Sequence, residues 1–368
     1  MRIAQVAPLY ESVPPRLYGG TERVVSYLTE ELVRLGHEVT LFASGDSMTR
    51  AKLVSGCAKS LWNDPASHDP LPHHVHLMSL VFDDVSRFDV IHFHTDYIHF
   101  PLLHRCPCRS VTTIHGQLHS ADVGTLFAAY PDVPLVSISC DQRRAAPMAN
   151  WQATVYHGIP GDEYTFRARP GEYLAFLGRI SPEKRLDRAI EIARGAGKKL
   201  RVAAKVDPVD REYFKRDIVP LLAASRSFVE FIGEIGGSAK DEFLGNALAL
   251  LFPIDWPEPF GLVMAESLAC GTPVIAWSNG SVPEVIADGQ TGFIVDNIAD
   301  AIGAVKRAGS LDRLECRRVF EERFDVGRMT RDYLEVYSHL KTCQAEPIKC
   351  PLPAAGVQVV PRTLPGVA

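Results

Sequence analysis

Two periods of hydrophobicity alternate along this chain. Short, nearly continuous apolar runs at 2–8, 37–43, 111–114, 136–139, 173–177, 200–205, 229–233, 250–254 and 272–277 carry flanking turn and breaker residues, the pattern of strands buried on both faces. The stretch DVIHFHTDY, from Asp89 to Tyr97, reads as a further parallel strand running out into a loop. Between the first two runs, Thr21 precedes a helical period carried by Val24, Val25, Leu28, Leu32 and Leu35, and Gly36 stops it. Residues 298–308, 311–323 and 324–340 read as closing helices. Strand, helix and strand in this order predict right-handed crossovers and parallel sheets, with ligands beyond the carboxyl ends of the strands.

The stretch LLFPIDWPEPFGLVMAESLACGTPVIA, residues 250–276, concentrates the candidate chemistry. After a buried strand, Pro257 and Pro259 forbid a continuing ladder or helix and stiffen the loop. A helix then begins near Phe260, Gly261 and Leu262 and runs to Ala269, before Gly271. Its free N–H groups and the positive end of its dipole point out of the sheet, and Gly261 lets a ligand approach the backbone. Glu258 precedes the helix start and Glu266 lies eight positions later, so two carboxylates can accept hydrogen bonds from separate parts of one long polar ligand. A hydroxyl-rich ligand with a central phosphate, such as a nucleotide sugar, has that shape. Taken alone, Glu258 could be a helix cap and Glu266 a solvated helix residue.

Other stretches supply matching groups. Gly19 and Gly20 stand before the first helix, where backbone N–H groups can meet an anion, with Arg16 and Glu22 on either side. In GRISPEK, Arg179 and Lys184 bracket an expected helix start with Ser181 as cap and Pro182 in its first turn, a diphosphate site in chemical terms. His115 follows the strand at 111–114, at the carboxyl end that opens on a cleft.

These motifs, in this order, resemble the retaining glycosyltransferases of family 4 (group 1). The pair Glu258 and Glu266 is similar to that family's Glu, seven residues, Glu signature, with EPFG where EGFG is commoner. The resemblance covers about 340 residues and implies an α/β GT-B fold. Two Rossmann-like domains would face a cleft: 1–160 on the acceptor side and 171–323 for the donor, with helix 324–340 crossing back. It implies that Glu258 contacts the donor sugar and Glu266 the ribose, and that Arg179 and Lys184 hold the donor phosphates. His115 would lie beside the reacting centre, the Gly19–Gly20 loop would touch the diphosphate or the acceptor, and Gly233, Glu234 and Ile235 would hold the base. Arg185 stands where the family has Gly, and His157 where it has Asn. The expected activity is metal-independent, retaining transfer of a hexose from a nucleotide-diphosphate sugar, a UDP-sugar first, to a sugar, glycolipid or small hydroxylated acceptor. Two rival classes share these features: a nucleotide-sugar 2-epimerase of the same fold, and a non-catalytic sugar-nucleotide binding protein.

Composition narrows the setting. A net charge of −5 gives no basis for nucleic-acid binding, and no apolar stretch approaches the ~20 residues of a membrane span. The N-terminus MRIAQVAPLY carries no cleavable signal pattern, so the chain reads as cytoplasmic, with peripheral membrane contact left open. The eight cysteines are scattered and read as reduced thiols, Cys270 packed in its helix. Ten of the thirteen histidines fall between His68 and His119, and His92 and His94 share one strand face. A metal there is conceivable, but the surrounding apolar run reads as cleft lining without metal. Tyr10, Tyr18, His94, Tyr97 and His99 are expected to face an acceptor sugar or small hydroxylated ring. The tail 343–368, with five prolines, is expected to be disordered.

Overall fold

The computed structural model describes residues 1–106, 108–118 and 121–342, so the tail expectation lies outside the described residues. Its strands in chain order are β1 (Arg2–Val6), β2 (Glu38–Ser44), β3 (Lys52–Cys57), β4 (Val90–Phe93), β5 (Ser110–Thr113), β6 (Leu135–Ser137) and β7 (Trp151–Thr154). They continue with β8 (Tyr173–Arg179), β9 (Lys199–Lys205), β10 (Val229–Gly233), β11 (Ala247–Phe252), β12 (Val274–Trp277) and β13 (Gly292–Val295). The first seven form one sheet in the order β3-β2-β1-β4-β5-β6-β7, and the last six a second in the order β10-β9-β8-β11-β12-β13. Every pairing is parallel. In each sheet the strand order reverses at the domain's first strand, β1 or β8, which opens a crevice at the carboxyl ends beside it.

The central strands are buried, apart from Arg2 at the start of β1, because helices cover both faces, which is why they read as continuous apolar runs. β3 escaped that reading because KLVSGC lies at a sheet edge and is half exposed, and β13 because its Gly-rich approach reads as a turn. The helix Pro70–Asp83 was also not expected; Asp69 accepts from the Leu71 N–H at its start. A correction concerns the GRISPEK turn. Pro182–Lys184 makes only a single tight turn, and the helix proper is Leu186–Ala196. Arg185 between them is left-handed, at φ 54°, a conformation glycine adopts freely. Its guanidinium is tied to Asp187 (2.7 Å) and Asp255 (2.8 Å), which hold the arginine where the family's glycine would need no support.

The last helix, Val326–Thr342, leaves the second domain and packs in the core of the first. Met329, Tyr333, Val336 and Tyr337 lie among Ile3, Val24, Leu28 and Val90. The chain crosses between domains twice, and the crossings pair: the Ile159 N–H donates to the Phe324 carbonyl (2.9 Å) and the Val326 N–H to the Ile159 carbonyl (3.1 Å). Gly158 permits this closeness, since a Cβ there would sit 2.5 Å from the Asp325 carbonyl oxygen and 2.8 Å from Met329 Cβ. Gly158→Ala is therefore expected to cost about 1–3 kcal/mol of stability through overpacking. Gly303→Ala, inside a helix with open space around it, is expected to add up to about 1 kcal/mol. Thermal unfolding of both variants checks the pair; equal shifts would contradict the role given to the crossing.

Candidate active site

A cavity of 520 Å³ opens between the carboxyl ends of the two sheets. The first domain contributes Gly19, Gly20 and His115 to its wall, and the second contributes Arg179, Lys184, Glu234, Ile235, Glu258, Phe260, Gly261, Leu262 and Glu266. Of the catalytic and donor-binding residues expected from the sequence, Gly233 alone stays outside this wall; it ends β10 at φ 88° and turns the chain toward Glu234.

Two helices start at this cavity, Gly20–Arg34 from the first domain and Leu262–Ala269 from the second. Neither N-cap, Gly19 nor Gly261, supplies a side-chain acceptor; the Glu22 N–H meets its own carboxylate and the Met264 N–H the Gly261 carbonyl, which leaves the N–H groups of each helix's first two residues for another partner. The two starts face each other: a Cβ built on Gly20 would lie 3.8 Å from Leu262 Cδ1. Gly261 is left-handed at φ 77°, and a Cβ there would come 2.7 Å from Met264 Cε and 3.3 Å from Glu258 Cγ. Two positive dipole ends at one cavity favour an anion there.

The charged residues are already paired with one another. The Lys184 ammonium meets Glu258, whose carboxylate also accepts from the Trp256 indole N–H at 2.8 Å, and Lys184 stands 4.8 Å from the Trp256 ring centre. Gly280 lets this loop close, because a Cβ there would lie 2.3 Å from the Glu258 backbone. Arg179 donates to Glu183 at 2.7 Å and lies 3.5 Å from Asp210 and 3.6 Å from Asp207. Glu266 is buried and accepts from the Lys240 ammonium (2.5 Å) and the Tyr164 hydroxyl (3.0 Å). Burial alone would raise the Glu266 carboxyl, but Lys240, Arg23 and the Tyr164 hydroxyl outweigh it and hold it below the usual carboxylate range.

The histidines divide. His115 lines the cavity; burial pulls its imidazole down to about 3, so it is neutral at pH 7. His157 lines the same wall, its ring stacked on His115 with centres 5.1 Å apart and its other side against Phe260. The Nδ1 atoms of both have no hydrogen-bond partner among the described residues. His94 and His99 correct an expectation: both are buried under the cleft and do not line it, His99 stacking on Phe93 and bonding Thr112 at 2.7 Å. They fill positions beneath the sheet's end because their ring nitrogens find protein partners there. Tyr97 is exposed away from the cavity wall, whereas Tyr10 and Tyr18 belong to it.

Several wall residues went unread in the sequence. Trp62 packs on Tyr10 (centres 5.0 Å apart), and Lys205 reaches over Tyr18 and Trp62. Asp96 is left-handed at φ 49°, a strained conformation outside glycine. Glu22 is not a solvated helix-start residue: burial and the neighbouring Glu11 push its carboxyl up to about 7 against the backbone N–H groups of Glu22 and Glu11. Lys240 had no local signal, since its partner Glu266 lies 26 positions away. The six cysteines among the described residues are free, and Cys270 is buried as expected. No helix there is long and apolar enough to cross a membrane.

The comparisons with known proteins agree with this geometry. Residues 18–160 match the family model described as Glycosyltransferase Family 4, and residues 166–317 that of Glycosyl transferases group 1. An uncharacterized glycosyltransferase of Methanocaldococcus jannaschii is 27% identical over 92% of this chain and 95% of its own length. A D-inositol 3-phosphate glycosyltransferase of Mycobacterium tuberculosis is 33% identical over 55% of this chain, a match that spans only 40% of that relative. Among solved structures, an Anabaena protein in complex with UDP and glucose superposes with a TM-score of 0.72 at 16% identity, covering 92% of this chain and 100% of that one. A cavity between two parallel-sheet domains, walled by paired carboxylates, cations and helix starts, thus sits in a chain that belongs to the group 1, or family 4, glycosyltransferases of GT-B fold.

Proposed function

We propose that this glycosyltransferase moves a hexose from a UDP-sugar to a hydroxyl acceptor, with retention of anomeric configuration and without a metal ion. The observation that carries this reading is the pair of facing, uncapped helix starts in one cavity with Arg179 and Lys184. A diphosphate between them would receive backbone N–H groups from both domains and two cations from one. The ribose would fall to Glu266 and the hexose to Glu258 and His115. UDP is the first choice because the Anabaena neighbour was solved with UDP and glucose.

The residues favour catalysis by leaving-group stabilisation. As the bond to the anomeric carbon breaks, charge grows on the diphosphate, and Lys184, Arg179 and the helix dipoles bind that state better than the substrate. Glu258 is engaged by Lys184 and Trp256, an arrangement suited to holding hydroxyls rather than to attacking carbon. His115, neutral at pH 7, is not in the imidazolium form that a general acid needs. The acceptor hydroxyl then approaches on the leaving-group side and passes its proton to a departing phosphate oxygen, which yields retention.

Nucleotide release is expected from a UDP-sugar in the presence of acceptor and to continue undiminished in a strong chelator. Release without any acceptor, accompanied by an isomerised sugar, would favour an epimerase, and binding without release a non-catalytic protein. A chelator-induced loss restored by Mg²⁺ would contradict metal independence.

Lys184→Ala and Arg179→Ala are each expected to lower kcat by about 30- to 1,000-fold, the ~2–4 kcal/mol typical of one lost transition-state contact. Arg179→Ala is expected to lower the melting temperature as well, because Glu183, Asp207 and Asp210 lose their shared cation. Steady-state kinetics and thermal unfolding check both; a kcat within twofold of wild type would remove that residue from the site.

A further inference from the structure

A continuous line of hydrogen bonds runs from the cavity wall to the crossover helix. His115 Nε2 meets His94 Nδ1 at 2.9 Å, and His94 Nε2 meets the Gln5 amide oxygen at 2.8 Å. The Gln5 amide nitrogen donates to the Tyr337 hydroxyl at 3.0 Å, which meets His92 Nδ1 at 2.7 Å. His92 Nε2 then meets the Thr113 hydroxyl at 2.7 Å, and Thr113 meets the Tyr333 hydroxyl at 2.9 Å. Gln5, His92 and Tyr333 are fully buried and His94 and Tyr337 nearly so, so water does not interrupt the line.

From these contacts we infer that Gln5 and Tyr337 are positioning residues that fix the tautomer of His115, leaving its Nδ1 as a bare acceptor at the cavity wall. An amide oxygen only accepts, so His94 Nε2 carries the hydrogen. Neutral His94 therefore has a lone pair on Nδ1 and accepts from His115 Nε2–H. Neutral His115 is then bare at Nδ1, the atom left without a partner among the described residues. On the far side, the Tyr337 oxygen accepts from Gln5 and its hydrogen goes to His92 Nδ1, which sets His92 Nε2–H toward Thr113. Turning the Gln5 amide over would reverse every hydrogen in the line and place N–H on His115 Nδ1. In the observed orientation Tyr337 is the acceptor of the Gln5 NH₂ group, and so a residue of the last helix is coupled to what a histidine of the first domain offers to a ligand.

This rests on the reading of the cavity as a glycosyl-transfer site. A bare Nδ1 accepts from a hydroxyl of the transferred sugar, and that hydroxyl becomes a stronger donor as positive charge builds on the sugar ring. The opposite tautomer would present N–H to the same hydroxyl and lose that gain. The stacked His157 ring keeps His115 in place while its tautomer changes, so the two effects are separable.

The test uses the full chain labelled with ¹⁵N-histidine and two-bond ¹H–¹⁵N correlation spectra, with the His115 signals identified by their absence in His115→Gln. Wild type is expected to show His115 protonated at Nε2 alone. Tyr337→Phe, which keeps the buried ring, is expected to show a mixture of tautomers at His115. Its kcat should fall about tenfold with the donor KM within about twofold, a loss like that seen when an outer partner of a site histidine is removed. Gln5→Met, which cuts the line one step nearer the cavity, is the second variant and is expected to behave alike. A wild-type His115 protonated at Nδ1, or an unchanged tautomer in both variants, would overturn the inference. The expected spectra in a protein that transfers no sugar would overturn the transferase reading while supporting the relay.

Discussion

Two helices that begin without a side-chain cap face each other across one cavity, and the remaining features of the site follow from that constraint. Unpaired N–H groups at a helix start favour an acceptor, and two sets of them in one space favour an anion. Parallel sheets place both starts at the carboxyl ends of strands, so the proposed anion site falls between domains rather than within one. Glycine at both caps keeps the approach open, and the left-handed Gly261 bends the loop so that Glu258 stands at the helix mouth. The crossover helix fixes the spacing of the two domains by burying Tyr333 and Tyr337 in the first domain's core.

Each cation of the site stands against one or more carboxylates. Lys184 rests on Glu258, Arg179 among Glu183, Asp207 and Asp210, and Lys240 on Glu266. An ammonium has three N–H donors and a guanidinium five, so these pairs can orient the cations without exhausting them. The Lys240–Glu266 pair, like Lys184–Glu258, is mostly buried, which makes it a fixed part of the wall.

What was legible in the sequence is what local spacing determines. Glu258 and Glu266 share one loop and helix, and the Gly19–Gly20, Arg179 and Lys184 positions follow strand ends, so local spacing alone places them. The tight turn at Pro182 was misread as a helix start because Ser-Pro is a good cap signal, and only the observed φ of Arg185 shows the break. Pairings over long separations carried no signal: Lys240 with Glu266, Gln5 and His92 with Tyr337, Glu284 with the Cys140 and Asp141 N–H groups. The alternation His92-Phe93-His94 was visible, but its meaning depended on a tyrosine 245 positions away from His92.

The central claim is that the diphosphate, held by helix starts and cations without metal, dominates donor recognition. Titration calorimetry of UDP and of uridine in the presence of a strong chelator measures this directly. The account predicts that UDP binds at least about 100-fold more tightly than uridine, since two or more charge-assisted contacts at ~1.5–3 kcal/mol each are lost with the phosphates. Equal affinities for the two ligands, or a preference for UDP that appears only with added divalent cation, would contradict it.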